Sequence, residues 1–382
     1  MEARRGGNSI GILLGAILSI VLFACLSVSA GDPAAILITE EALYSLPLEK
    51  GYSYLQLSDG EKRIYREIHY SVLHRMEDVL VSTKDPETLD KVFNTFLNDH
   101  PEIFYTEGYS CFSFKRDNDV QRLFFSPDYG RDYAEMLDAQ AGIDLFMEDF
   151  LPKAASCGTD YDRVKLAYDH LISHVDYDNN APDSQNICSV FLNGKSVCTG
   201  YAKGLQYMLA ACGIPSVMLT GIVRENVPHA WLAVFLDGDW YHVDPAWGDP
   251  SYQVSEGLNV NPASLPEINY DYFLVTDADI ERTHRIENPV QPPKCVSLKD
   301  NYYVREGAYF TSMDTARLEK LFADAYKEGK TYLTVKCADG ELYTLMRTYL
   351  LSEQHIFDYL EGRSNAVAYT DKPEVFSVSF WL

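Results

Sequence analysis

The sequence predicts an α+β fold, and three observations carry that reading. Residues 203–212 place Leu205, Met208 and Leu209 at i, i+3, i+4 spacing, the stripe of one amphipathic helix, and Gly213-Ile214-Pro215 stops it. Strand-like segments then follow in succession at 216–224, 230–236, 239–244 and 272–275. No βαβ rhythm runs through them, so an antiparallel sheet is expected.

Upstream, Ser58-Asp59-Gly60-Glu61 has capping-box spacing, and Ile64, Ile68, Val72, Met76, Val79 and Leu80 form the apolar stripe of the helix after it. Asp85-Pro86 reads as an N-cap with proline at the first helical position. It opens a helix with Leu89, Val92, Phe93, Phe96 and Leu97 inward, halted by Pro101. Residues 109–115 and 120–125, joined through Arg116-Asp117-Asn118-Asp119, read as a hairpin. Helices at 131–154 and 161–174 lead towards the helix at 203–212. The connection 176–196 is polar and longer than most, the kind that carries function or stays irregular. Gln291-Pro292-Pro293 marks a boundary. Beyond it, a helix at 311–327, a strand at 331–337, a helix at 342–351 and the alternating Val375-Phe376-Ser377-Val378-Ser379-Phe380 make a small α+β unit. The expected organisation is a leader over 1–30, a mainly helical region with a hairpin over 31–155, a core over 156–290 and an α+β C-terminal domain over 291–382.

Composition narrows the class. A chain of 382 residues with 47% hydrophobic and 13% aromatic residues is globular and builds a substantial core. A formal charge of −24 argues against nucleic acid as a partner and against adhesion to anionic lipid headgroups. The amino terminus reads as an export signal: Arg4-Arg5, an uncharged stretch over 10–28, and the small-residue site Val28-Ser29-Ala30 before Gly31. An uncleaved anchor is the alternative, because the apolar stretch is long; a lipoprotein box at Leu22-Phe23-Ala24-Cys25 ranks third, since Phe23 is bulky. Membrane contact is expected through this segment alone, and the protein is expected to be exported. Beyond the leader stand Cys111, Cys157, Cys188, Cys198, Cys212, Cys295 and Cys337. That odd number suits an exported enzyme with one working thiol; pairing among the rest is not legible from spacing.

The chemistry centres on Gly194-Lys195-Ser196-Val197-Cys198-Thr199-Gly200-Tyr201-Ala202, where a cysteine stands at a loop-to-helix junction. The unpaired N–H groups and positive dipole end of such a helix favour thiolate over thiol. His229 opens the strand at 230–236, Asp237-Gly238 is a two-residue hairpin signal, and Trp240-Tyr241-His242-Val243-Asp244 returns. With those two residues as the loop, Trp231 faces Asp244, and His229 lies one diagonal step away on the same face. A three-residue loop would turn Asp244 to the other face. A carboxylate on the His229 face can hold the imidazole's tautomer while its other nitrogen meets a thiol. Cysteine, histidine and carboxylate in this order suit thiol acyl transfer.

At these residues the chain resembles the bacterial branch of the transglutaminase-like superfamily, with its papain-like fold. The resemblance rests on the Cys198 block, Gly213-Ile214-Pro215, Pro228-His229-Ala230-Trp231, the block from Trp240 to Pro250, and Asn269-Tyr270-Asp271-Tyr272-Phe273-Leu274. It implies that Cys198 is the nucleophile, His229 the base and Asp244 the orienting acid, with Gln185 as an oxyanion contact. The implied function is acyl transfer on polypeptide amides through a thioester, with water or an amine as acceptor. Envelope or extracellular polypeptides are the expected substrates, with no cofactor. A non-catalytic peptide-binding module or a structural envelope protein that keeps the fold is the alternative. Glycan-releasing relatives usually bring paired zinc-binding cysteines, and this chain contains no CxxC pair.

Trp231, Trp247 and His242 are expected as cleft-lining residues, although burial alone would account for each. His170 and His174 share the i, i+4 spacing of paired metal ligands. Leu171 stands where a metalloprotease helix carries glutamate, so a solvated or capping role near the helix end is expected and no metal.

Overall fold

The computed structural model describes residues 25–28, 36–45, 51–224, 226–249, 267–363 and 366–382. The leader read over 1–30 lies outside the described residues except for the backbone of 25–28. That segment forms strand β1 (Cys25–Val28) and enters a sheet. No helix among the described residues is long and apolar enough to cross a membrane.

The amino-terminal region begins with α1 (Glu40–Ser45), α2 (Tyr52–Gln56) and α3 (Asp59–Leu73), the last opened by the Ser58/Glu61 capping box. Helix α3 ends three residues before Met76, short of the stripe read from the sequence. Arg75 and Asp78 take left-handed backbone conformations, with φ of 50° and 55°, and turn the chain out. Val79 and Leu80 become strand β2 (Val79–Leu80) beside Phe125 and Phe124. Asp85 accepts from the amides of Glu87 and Thr88 to open α4 (Pro86–Asp99). The hairpin β3 (Thr106–Arg116) and β4 (Asp119–Tyr129) is longer than expected, because the turn needs only Asp117 and Asn118, at φ 52° and 70°. The sheet order is β1-β3-β4-β2.

Helices α5 (Tyr133–Ala155) and α6 (Asp160–His174) lead into the core. The connection after them is not an irregular loop. Strands β5 (Asp176–Tyr177) and β6 (Lys195–Ser196) pair in parallel, and α7 (Ile187–Phe191) sits between them. All five residues of α7 are buried and Asn186 caps it, so burial orders a segment whose flanks are polar. Then comes α8 (Cys198–Ala211). It packs across β7 (Ser216–Val223) and β8 (Val227–Leu236), which continue into β9 (Asp239–Val243), α9 (Pro245–Gly248), β10 (Phe273–Val275) and β11 (His284–Ile286). The strand order is β10-β9-β8-β7-β11, antiparallel throughout. Strand β11 was not legible in the sequence.

The carboxy-terminal part carries β12 (Tyr309–Phe310), β13 (Tyr332–Cys337), β14 (Tyr369–Lys372) and β15 (Ser377–Trp381) in the order β12-β13-β15-β14. A helix at Thr315–Lys327 crosses from β12 to its parallel neighbour β13. A second apolar cluster around Phe322, Val335, Met346 and Phe380 fills this sheet, whereas one continuous core joins the amino-terminal helices to the central sheet. The buried Lys336 and the half-buried Lys372 of this unit meet the buried Asp271 of the core at 3.7 and 2.9 Å. Cys111 is disulfide-bonded; Cys157, Cys188, Cys198, Cys212, Cys295 and Cys337 are free thiols.

Candidate active site

Cys198 is the first residue of α8, and the extended Val197 before it offers no side-chain cap. The amides of the first turn are therefore left to whatever lies beside the sulfur. Three contacts fix this turn. Tyr201 Oη donates to the Val175 carbonyl at 2.7 Å and also to the Asp249 carboxylate. Ser189 and Ser196 share a 2.6 Å hydrogen bond beneath Gly200. A Cβ on Gly200 would collide with Ser196 Oγ and stand 2.7 Å from Ser189 Oγ and 3.1 Å from the Ser184 carbonyl, so only glycine admits this packing.

The hairpin of β8 and β9 delivers the other two groups. Asp237 and Gly238 have φ of 52° and 96°, a two-residue turn whose twist suits the flanking strands. Its register pairs Leu236 with Asp239, Val234 with Tyr241 and Leu232 with Val243. Carried one step further, this alternation puts Asp244 on the face of Trp231 and His229. His229 Nε2 lies 2.8 Å from Asp244 Oδ2. With Nε2 committed there, Nδ1 is the nitrogen left for the Cys198 thiol, whose proximity favours the charged imidazole.

Burial of His229 opposes its charge, but the Asp244 carboxylate and Cys198 outweigh that and raise the imidazole to about 10. Burial likewise opposes the Asp244 charge, yet His229 and His284 hold that carboxyl well below the usual carboxylate range. The other oxygen of Asp244 accepts from the amides of Ala246 at 3.0 Å and Trp247 at 3.1 Å, so the same side chain caps α9.

The family model of the transglutaminase-like superfamily matches residues 150–245, a span that contains Cys198, His229 and Asp244. Residues 150–245 are a transglutaminase-like domain. Human kyphoscoliosis peptidase is 25% identical over 237 residues, covering 56% of this chain and 34% of that protein. The match thus spans about a third of that relative's length. Among solved structures, a TGase is similar at 14% identity and a TM-score of 0.27, over 37% of this chain and 51% of that one. The periplasmic domain of TgpA from Pseudomonas aeruginosa is similar at 17% identity and a TM-score of 0.25, over 38% and 61%.

One residue of this transglutaminase-like core escaped the sequence. His284 Nε2 lies 3.1 Å from Asp244 Oδ2, the oxygen that His229 uses. It stands on β11 opposite Val223, and Val223 pairs with Val227, which puts His284 on the His229 face of the sheet. Burial lowers its imidazole to about 4 despite the carboxylate. A neutral His284 donates to Asp244, and its Nδ1 meets Thr283 Oγ1 at 2.8 Å. No motif surrounds Thr283-His284-Arg285, and its strand of three residues has no periodicity to read.

The remaining site residues divide. The Ser184 carbonyl lies against Gly200, which puts the backbone of neighbouring Gln185 beside the first turn of α8. The Gln185 Oε1 is buried without a hydrogen-bond partner among the described residues. Trp231 and His242 correct the sequence reading: both are fully buried and line no open cleft. Trp231 Nε1 donates to His242 Nδ1 at 3.1 Å, so His242 Nε2 carries the hydrogen that Asp277 accepts at 3.0 Å. That tautomer has no lone pair to give a metal beside Asp277 and Cys295. Trp247 is also buried, packed against His229 and His284 at 5.8 and 4.7 Å between ring centroids. The cluster of His229, Asp244 and His284 offers three donors, but they are spent on one another and closed from solvent.

Proposed function

We propose that the protein is a thiol-dependent acyl-transfer enzyme acting on amide bonds of polypeptides, a cysteine peptidase or amidase if water is the acceptor and a transamidase if an amine is. One observation carries the proposal: an imidazole held between a buried carboxylate and a cysteine at the first residue of a helix. Cys198 gives its thiol proton to His229, and the sulfur forms a bond to the substrate carbonyl carbon. First-turn amides, assisted by Gln185, take the charge on the carbonyl oxygen. His229 then protonates the leaving nitrogen as the C–N bond breaks, which leaves a thioester. Water or an amine attacks that thioester, giving its proton to His229 while sulfur departs as thiolate. Asp244 keeps the ring oriented and supports its charge. The leader-like terminus supports an exported protein, and with it extracellular or envelope polypeptides as substrates.

A second reading, a peptide-binding module without turnover, is favoured by the burial of Cys198, which is 4% exposed. The pH dependence of iodoacetamide labelling, mapped by mass spectrometry on wild type and His229→Ala, separates the two. Burial raises Cys188 to about 11 and Cys337 to about 12, so those thiols serve as slow internal controls. Selective labelling of Cys198 well below the ordinary thiol value of about 8.5, lost in the variant, supports the enzyme. Labelling of Cys198 no faster than the controls, and unchanged in the variant, defeats it.

A further inference from the structure

We infer that Asp149, His170 and His174 form a surface site for a divalent transition-metal ion of the zinc(II) type, spanning α5 and α6. His170 and His174 stand one turn apart on α6 with ring centroids 4.1 Å apart. Asp149 on α5 brings Oδ2 to 3.8 Å from His170 Nε2. Each residue offers one donor atom, and the three donors lie within 4.8 Å of one another. Ligands about 2.0–2.2 Å from a shared zinc are roughly 3–3.5 Å apart, so small side-chain rotations close the site.

The histidines are already arranged for this. His174 Nδ1 lies 2.7 Å from the His170 carbonyl oxygen. A neutral ring donates there and leaves the Nε2 lone pair outward, the way metal-bound histidines are commonly held. Phe146 and Phe150 pack against the His170 ring at 5.3 and 5.6 Å, closing its inner side. Asp149 and His174 are exposed, so water can complete the coordination. Two imidazoles and one carboxylate suit zinc, cobalt or nickel better than calcium or magnesium. The present competitor is Lys153, 2.6 Å from Asp149 Oδ2. That exposed pair within one helix is weak, and a dication displaces it. The spacing on α6 offers two ligands, and Leu171 in place of a metalloprotease glutamate argues against a metal in the sequence; the third ligand comes instead from the preceding helix. The site shares no residue with the Cys198 centre; a bound ion would clamp α5 to α6, the helix that leads into the core.

The test is titration of the metal-free full chain with cobalt(II), followed by displacement with zinc(II). The expected result is one ion per chain bound at roughly micromolar concentration, with visible cobalt bands lacking the sulfur charge-transfer band, and a zinc-dependent rise in the thermal midpoint. His174→Gln and Asp149→Asn, both at exposed positions, should each weaken binding at least about tenfold without altering the circular dichroism. A sulfur charge-transfer band that disappears in Cys198→Ala overturns the proposal by assigning the ion to the thiol. Binding unaltered in His174→Gln, or absent up to about millimolar metal, overturns it as well.

Discussion

Replacing Asp244 by asparagine separates what this side chain does for the histidines from what it does for the backbone. Asparagine keeps an oxygen for the amides of Ala246 and Trp247, so the cap of α9 survives. The other oxygen becomes an NH2 group facing two imidazole nitrogens, at 2.8 Å in His229 and 3.1 Å in His284. His229 then loses the charge that offsets its burial, and its pKa falls from about 10 in the direction of His284, which sits at about 4. The sign of the pH dependence follows. His229 is raised, so its contribution to stability is fully present below about pH 6.5 and is lost as pH rises through about 10. Asp244 is depressed, so its contribution is present above about pH 3.9 and is lost as pH falls through its folded value. Between about pH 4 and 6.5 both operate, and there the variant should lose about 3–5 kcal/mol, the cost of stranding one member of a buried pair. Above about pH 6.5 the wild type should lose stability with rising pH, and the variant should not. Acylation should slow by about 10⁴, as when a triad histidine loses its tautomer control. Urea unfolding at about pH 6 and about pH 9 measures the first effect. Cys198 alkylation against pH measures the second. A variant with the wild-type alkylation profile, or one whose stability still falls by the wild-type amount above about pH 6.5, refutes the role assigned to Asp244.

Two further substitutions test the supporting structure. Asp271→Asn leaves the buried Lys336 without its carboxylate and the half-buried Lys372 against a neutral amide, and thermal unfolding should show a loss of about 3–5 kcal/mol. Burial opposes the Asp271 charge, but the two lysines hold its pKa below the usual range; its stabilisation is therefore present above about pH 3.9 and lost as pH falls through the folded value, so the wild-type advantage over the variant should shrink across that window. Gly200→Ala forces a methyl group into the Ser189–Ser196 hydrogen bond and should cost about 1–3 kcal/mol by overpacking. Because the displaced turn carries Cys198, thioester formation should fall by more than the lost stability explains, which single-turnover assays at fixed folded fraction would reveal. An unchanged rate would mean that the first turn tolerates displacement.

The parts of the site legible in the sequence are those set by local rules. Asp237-Gly238 dictates a turn with two positive φ values, that turn dictates the register, and the register brings His229 to Asp244. Gly213, at φ 73°, ends α8 where the helical stripe stops, with the Gly213 amide bonded to the Ala210 carbonyl. What escaped depends on contacts between distant segments. His284 arrives on a strand of three residues that exists because β7 has a free edge to pair with. Helix α7 is hidden in the sequence because its polar flanks dominate the composition, whereas its five buried residues decide its structure. Trp231 and His242 alternate to the right face, but alternation cannot tell the wall of a cleft from the layer beneath it. Their mutual hydrogen bond and complete burial put them in that layer.

Asp244 also explains why site and fold cannot be dissected by simple truncation here. One carboxylate oxygen ends β9 by capping α9, a helix too short to stand on its own hydrogen bonds. The last residue of that helix, Gly248, is where Tyr168 from α6 approaches; a Cβ there would collide with the Tyr168 hydroxyl. That hydroxyl donates to the Asn269 carbonyl at 2.8 Å and to the Asp244 carbonyl at 3.3 Å. The backbone of Asp244 is thus held from α6 while its side chain holds His229 and His284. Asp244→Ala would remove the cap, the histidine partner and the buried charge together, and its inactivity would say nothing about catalysis. Asparagine removes only the charge and the second acceptor. For that reason the pH dependence of the asparagine variant, rather than loss of activity in an alanine variant, decides whether His229 works as a base oriented by Asp244.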